Sequence, residues 1–214
     1  MLRYLFSNPP DIAGFVLLAV VFVIALSLHE YGHALAATLQ GDPTAKLAGR
    51  LTINPRSHLD PVGTFMLVMV GFGWGKPVPF SPNELRSRRW GSALVGAAGP
   101  LVNVILALMS AAAFLALFRR AGGMVAADDL LGRFLLIGVQ LNVILALFNL
   151  LPIPPLDGSR ILSALLPPEK QHVVFFLDKW GFVILILVAF LLFPRFAPPI
   201  INAATRLIFS LVGA

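Results

Sequence analysis

Cysteine is absent from the chain, which excludes both a disulfide framework and a cysteine zinc site. Charge is scarce too: Asp, Glu, Lys and Arg make up 12% of the 214 residues, about half the share usual in a soluble domain. Histidine is limited to His29, His33, His58 and His172, so a bound transition metal must draw on these four and on carboxylates. What is abundant is apolar: 58% of residues are hydrophobic and the mean hydropathy is +0.87, which makes a membrane protein the default class. The net charge of +6 does not point to nucleic acid, because the basic residues flank apolar runs as they do in loops beside anionic lipid. The opening MLRYLFSNPP lacks the layout of a cleavable signal, and the run behind it is too long for a signal core, so that run is expected in the mature protein.

The first run, Ile12 to Leu39, is interrupted only by His29, Glu30 and His33, and Gly41-Asp42-Pro43 stops it. A crossing needs about 20 residues, so the histidines fall towards its far end. Leu47, Leu51 and Ile53, between Gly49 and Asn54-Pro55, suggest a small hairpin or edge strand near residues 47–53. Residues 61–75 are apolar but short and rich in glycine, equally suited to a re-entrant segment or a crossing. Further runs cover 92–118, 130–151, a short helix at 159–166, 173–193 and a weaker stretch at 198–212 that spans or lies along the interface. The expected fold is therefore an all-α polytopic membrane protein, residues 1–214 forming one domain of about five to six spanning or re-entrant helices with a small β-hairpin. With residues 61–75 re-entrant, nine basic residues (Lys46, Arg50, Arg56, Lys76, Arg86, Arg88, Arg89, Arg160, Lys170) share the side of the first run's far end. Arg3, Arg119, Arg120, Arg133 and Arg195 fall opposite, so the histidine end is expected to face the cytoplasm.

His29 and His33 stand four apart, one turn apart on one helix face, and two imidazoles so placed can hold one tetrahedral zinc ion. Glu30 beside them is placed to act as general base, taking the proton of a zinc-bound water whose pKa the metal brings to about 7. A His-Glu-x-x-His also arises by chance on soluble helices. In hydrocarbon each ionisable side chain costs roughly 2.5–3.5 kcal/mol, so three on one span argue for function. Asp157 follows the fourth long run and falls on the same side as His33. It is either the third ligand, freed from helix geometry by Pro152, Pro154 and Pro155, or the N-cap of the short helix behind it. His58 and His172 have no partner spacing. The strand-like Leu51, Thr52 and Ile53 either dock an unwound substrate by strand addition or simply close a loop.

These residues resemble the site-2 protease family of intramembrane zinc metalloproteases. The resemblance rests on HEYGHALAA (29–37), GRLTINPRSHLDPVG (49–63), GWGKPVP (73–79), GPLVN (99–103) and NLLPIPPLDG (149–158), in that order along most of the chain. It implies zinc held by His29, His33 and Asp157 with Glu30 as catalytic base. It also implies that Asn103 binds substrate or stabilises the oxyanion, with Asn149 a second candidate, although a buried amide more often only joins helices. The implied substrate is a membrane protein with a transmembrane helix, and the expected location is a prokaryotic inner membrane. With no room for a PDZ domain, the chain resembles the family's minimal form. The competing reading is a metal-binding membrane protein or transporter without peptidase activity, for which Glu30 would be needless.

Overall fold

The computed structural model describes residues 9–70, 73–124, 126 and 129–213. The first eight residues, with Arg3, and Asp128 lie outside them. Helix α1 (Ile12–Leu39) starts at Asp11, whose side chain accepts the Gly14 amide at 2.8 Å. That bond, together with an ion pair to Arg133, holds the Asp11 carboxyl below the usual carboxylate range. At about 1.5 Å per residue α1 is about 42 Å long, more than the hydrocarbon requires. It ends where Gly41 turns the chain with φ 101°.

No hairpin forms at residues 47–53. Thr44–Leu47 is a single helical turn, α2, and Leu51–Thr52–Ile53 follows as irregular bends. The backbone groups there find local partners instead of a ladder. Leu47 N bonds Pro43 O at 2.9 Å, Arg50 N bonds Ala45 O at 2.8 Å, and the buried His58 ring donates to Thr52 O at 2.6 Å. Among the described residues the strand-like pairing is one isolated antiparallel bridge, Leu59 to Gly75.

Helix α3 (Pro61–Val70) has ten residues, about 15 Å, too short to cross. Then come α4 (Arg88–Arg120), α5 (Leu130–Asn149), α6 (Gly158–Leu165), α7 (Gln171–Leu187), a π segment (Val188–Leu192) and α8 (Phe193–Leu211). Among the described residues four helical stretches are long and apolar enough to cross: α1, α4, α5 and the merged Gln171–Leu211. The expected count of five to six is corrected to four. The short segments 61–70 and 158–165 do not qualify, and the runs at 173–193 and 198–212 join into one 41-residue stretch. That stretch accompanies α4: Val174 and Leu177 share a cavity with Arg88 at one end, and Gly213 O accepts from Arg119 at the other.

Helices α1 and α5 run parallel, with Asp11 and Arg133 paired at their starts. Helix α4 runs against both, so the end of α1, the start of α4 and the end of α5 meet at one end of the bundle. Contact between helices in lipid relies on close backbone approach. A methyl on Gly32 would meet Val102 Cγ2 at 2.8 Å and one on Gly138 would meet Ser110 Oγ at 2.8 Å. Away from the histidines, Ala107 and Ala111 pack on Val139, Val143 and Ile208, joining α4, α5 and α8.

Candidate metal centre

Two elements deliver three buried donors to one point. His29 and His33 come from consecutive turns of α1, and Asp157 from the proline-broken turn between α5 and α6. His29 Nε2 lies 3.1 Å from His33 Nε2 and 3.1 Å from Asp157 Oδ2, which is 3.2 Å from His33 Nε2. Three corners of a tetrahedron with 2.0–2.1 Å bonds are about 3.3 Å apart, so this near-equilateral triangle fits zinc. Asp157 does stand at the N-cap position of α6, but its side chain makes no capping hydrogen bond. Burial works to raise its carboxyl. Hydrogen bonds and charge from His29 and His33 outweigh that and leave it well below the usual carboxylate range.

The imidazoles are oriented from behind. His33 Nδ1 donates to Val95 O at 2.6 Å, and His29 Nδ1 donates to Asn103 Oδ1 at 2.6 Å, which turns both Nε2 lone pairs to the common point. Pro100 also lies inside α4 and offers no amide to the Gly96 carbonyl. Gly99 supplies the clearance: a methyl there would lie 2.6 Å from His29 Nε2 and closer still to His33 Nε2. A side chain at residue 99 would thus press on both histidine donor atoms.

Asn103 is fully buried, and its Nδ2 donates to Asn142 Oδ1 at 2.8 Å, while Asn142 Nδ2 reaches Gly138 O at 2.8 Å. Asn142 escaped the sequence reading. Its signal was an amide in the middle of an apolar span, where a polar group needs a reason. Asn149 bonds Leu145 O at 3.0 Å and lines a cavity of about 300 Å³ that also takes in His29, Glu30, His33 and Asp157. Asn103 does not line it. Glu30, 8% exposed, opens on this cavity, and a methyl on Gly75 would lie 3.1 Å from its Oε1. The wall nearest Gly75 is the extended stretch 73–78. Its Lys76 amide bonds His58 O at 2.8 Å, and its Pro77 carbonyl accepts from the buried Arg50 at 3.1 Å.

Leu51, Thr52 and Ile53 do not reach the cavity. Leu51 packs on Ala34, Ala45 and Val78, Thr52 O is held by His58, and Ile53 is exposed. His58 and His172 also stand apart from the donor triangle.

Comparison with known proteins finds relatives named for zinc chemistry. The profile of Peptidase family M50 matches residues 17–122 and 116–192. The chain is 39% identical over 201 residues to YwhC of Bacillus subtilis (strain 168), provisionally named a zinc metalloprotease, covering 92% of this chain and 91% of that one. It is 32% identical over 178 residues to Rip2 of Mycolicibacterium smegmatis, which carries the same provisional description, covering 80% of this chain and 66% of the relative. Rip2 of Mycobacterium tuberculosis H37Rv is 35% identical over 178 residues, 78% of this chain and 64% of the relative. No solved structure matches the chain.

Proposed function

The chain belongs to Peptidase family M50, the site-2 protease family, and from that premise we propose that this integral-membrane metalloprotease cuts peptide bonds in or near transmembrane helices of other membrane proteins. The observation that carries the reading is the His29–His33–Asp157 triangle, with His29, His33 and Glu30 on a membrane-spanning helix and Glu30 opening on the same cavity. Bound zinc supplies Lewis acidity, polarising a carbonyl and making water a nucleophile near neutral pH. Glu30 accepts the proton that the attacking water loses and passes it to the departing amine as the C–N bond breaks. Asn103 and the Val95 carbonyl keep the imidazoles facing Asp157, so Asn103 works as a positioning residue through His29. Asn149, on the cavity wall, is the amide available to substrate.

A helical substrate hides its carbonyls, so it must unwind locally before attack. The extended stretch 73–78 beside Glu30 is the surface we assign to holding that unwound segment. The described helices act as one membrane protease domain. The metal end carries the larger basic group, with Arg86, Arg88, Arg89 and Lys170 at its edges, and we assign it to the cytoplasmic side of a prokaryotic cell membrane. Cleavage of a span-containing substrate in proteoliposomes tests the function. Glu30→Gln should slow it by about 10²–10⁴-fold. Undiminished cleavage by that variant would leave a metal-binding protein without this peptidase mechanism.

A further inference from the structure

We propose that a second cavity, on the outer side of α6, binds the phosphate headgroup of an anionic lipid in the leaflet at the metal centre's end of the bundle. The cavity is about 290 Å³ and is walled by Arg88, Arg89 and Arg160 with Ser92 and Ser163, against a single acid, Asp178. Two of the guanidiniums are held in place. Arg89 Nε donates to Ala164 O at 2.6 Å and its Nη2 to Leu166 O at 2.8 Å, while Arg160 sits 4.6 Å over the Phe80 ring. Arg88, the first residue of α4, is exposed. The Ser92 hydroxyl donates to Arg88 O at 2.7 Å, but guanidinium groups with the Ser163 hydroxyl beside them suit a phosphate, which takes several charge-assisted hydrogen bonds at once.

The surroundings select a lipid over a soluble phosphate. Arg88 opens a 33-residue apolar helix, so the cavity lies where hydrocarbon gives way to the interface. Val174 and Leu177 of α7 form part of its wall, and their neighbours Phe175 (74% exposed) and Phe176 face outward with Leu94 and Leu165. Acyl chains attached to a phosphate in this cavity would run along those exposed faces. Trp90, also exposed and 5.9 Å from the Arg89 guanidinium, is the amphipathic ring expected at headgroup level. Arg160 forms part of both this cavity and the metal cavity, 3.9 Å from Asp157 Oδ1, but the binding claim does not depend on the peptidase reading.

The test is retention of phosphatidylglycerol or phosphatidylcholine by the detergent-purified full chain, measured by native mass spectrometry. Phosphatidylglycerol should be preferred, and Arg88→Gln should weaken it about fivefold. Arg120→Gln, at the opposite end of α4, should leave it unchanged. Equal retention in wild type and Arg88→Gln, or an equal fall in Arg120→Gln, would overturn the site. Inorganic phosphate binding as tightly as phosphatidylglycerol would overturn the lipid assignment. Capture of a polyglutamate peptide with no preference between the two lipids would assign the cavity to an acidic protein segment instead.

Discussion

Beside the metal donors His29, Asn103, Asn142 and the Gly138 carbonyl form a buried chain of hydrogen bonds, with His33 and Val95 next to it. Directly adjoining it, Ala107, Ala111, Val139, Val143 and Ile208 form an apolar cluster buried as deeply. The same helices, α4 and α5, serve both regions, with Asn142 and Val143 consecutive on α5. Lipid tails are as apolar as leucine, so the apolar cluster gains mainly from fit between small and branched side chains. The polar chain carries groups that are expensive in hydrocarbon, each bonded to the next until it reaches a backbone carbonyl. What the two share is backbone approach allowed by glycine and alanine. What separates them is that a change in the polar chain should alter chemistry and a change in the apolar cluster should alter stability.

Gly99→Ala should break the comparison most sharply. A helical glycine-to-alanine change ordinarily stabilises by about 1 kcal/mol, yet here the methyl would press on the donor nitrogens of both His29 and His33. Cleavage should fall by at least about 10²-fold, with the helices intact by circular dichroism. Asn103→Ala should lower zinc affinity by about 10–100-fold in a competition titration, and Asn142→Ala by less, since it acts one hydrogen bond further away. Ile208→Ala should do the reverse, destabilising the bundle by about 2 kcal/mol in a denaturation assay while zinc affinity stays as it was. Arg133→Gln removes a partly exposed pair with Asp11 and should cost less than about 1 kcal/mol, with no effect on zinc.

The sequence carried the site further than the fold. His29, Glu30 and His33 were legible because a 3.6-residue period and the cost of charge in lipid speak directly to a helix in a membrane. Topology left Asp157, an acid after a proline-broken span returning to the same end, as either ligand or N-cap, and the family resemblance pointed to the ligand. The crossing number was less accessible. The runs at 173–193 and 198–212 read as separate elements, yet Pro198 and Pro199 lie inside α8 and the two runs join into one helical stretch. The hairpin expectation failed because β-branched and leucine residues at 47–53 look strand-like alone. The deciding partners, His58 on Thr52 and Ala45 on Arg50, use carbonyls and a ring that no residue pattern announces. Asn103 was expected to face substrate, and its bond to His29 was not foreseen, since that depends on how α1 and α4 lean together.

Zinc content per chain, measured side by side in the wild type, Asp157→Ala and Glu30→Gln, tests the division of labour at the metal end most directly. Glu30→Gln should keep the wild-type zinc content, because Glu30 lies outside the donor triangle, and Asp157→Ala should lose most of it. Full zinc in Asp157→Ala, or loss of zinc in Glu30→Gln, would contradict the account.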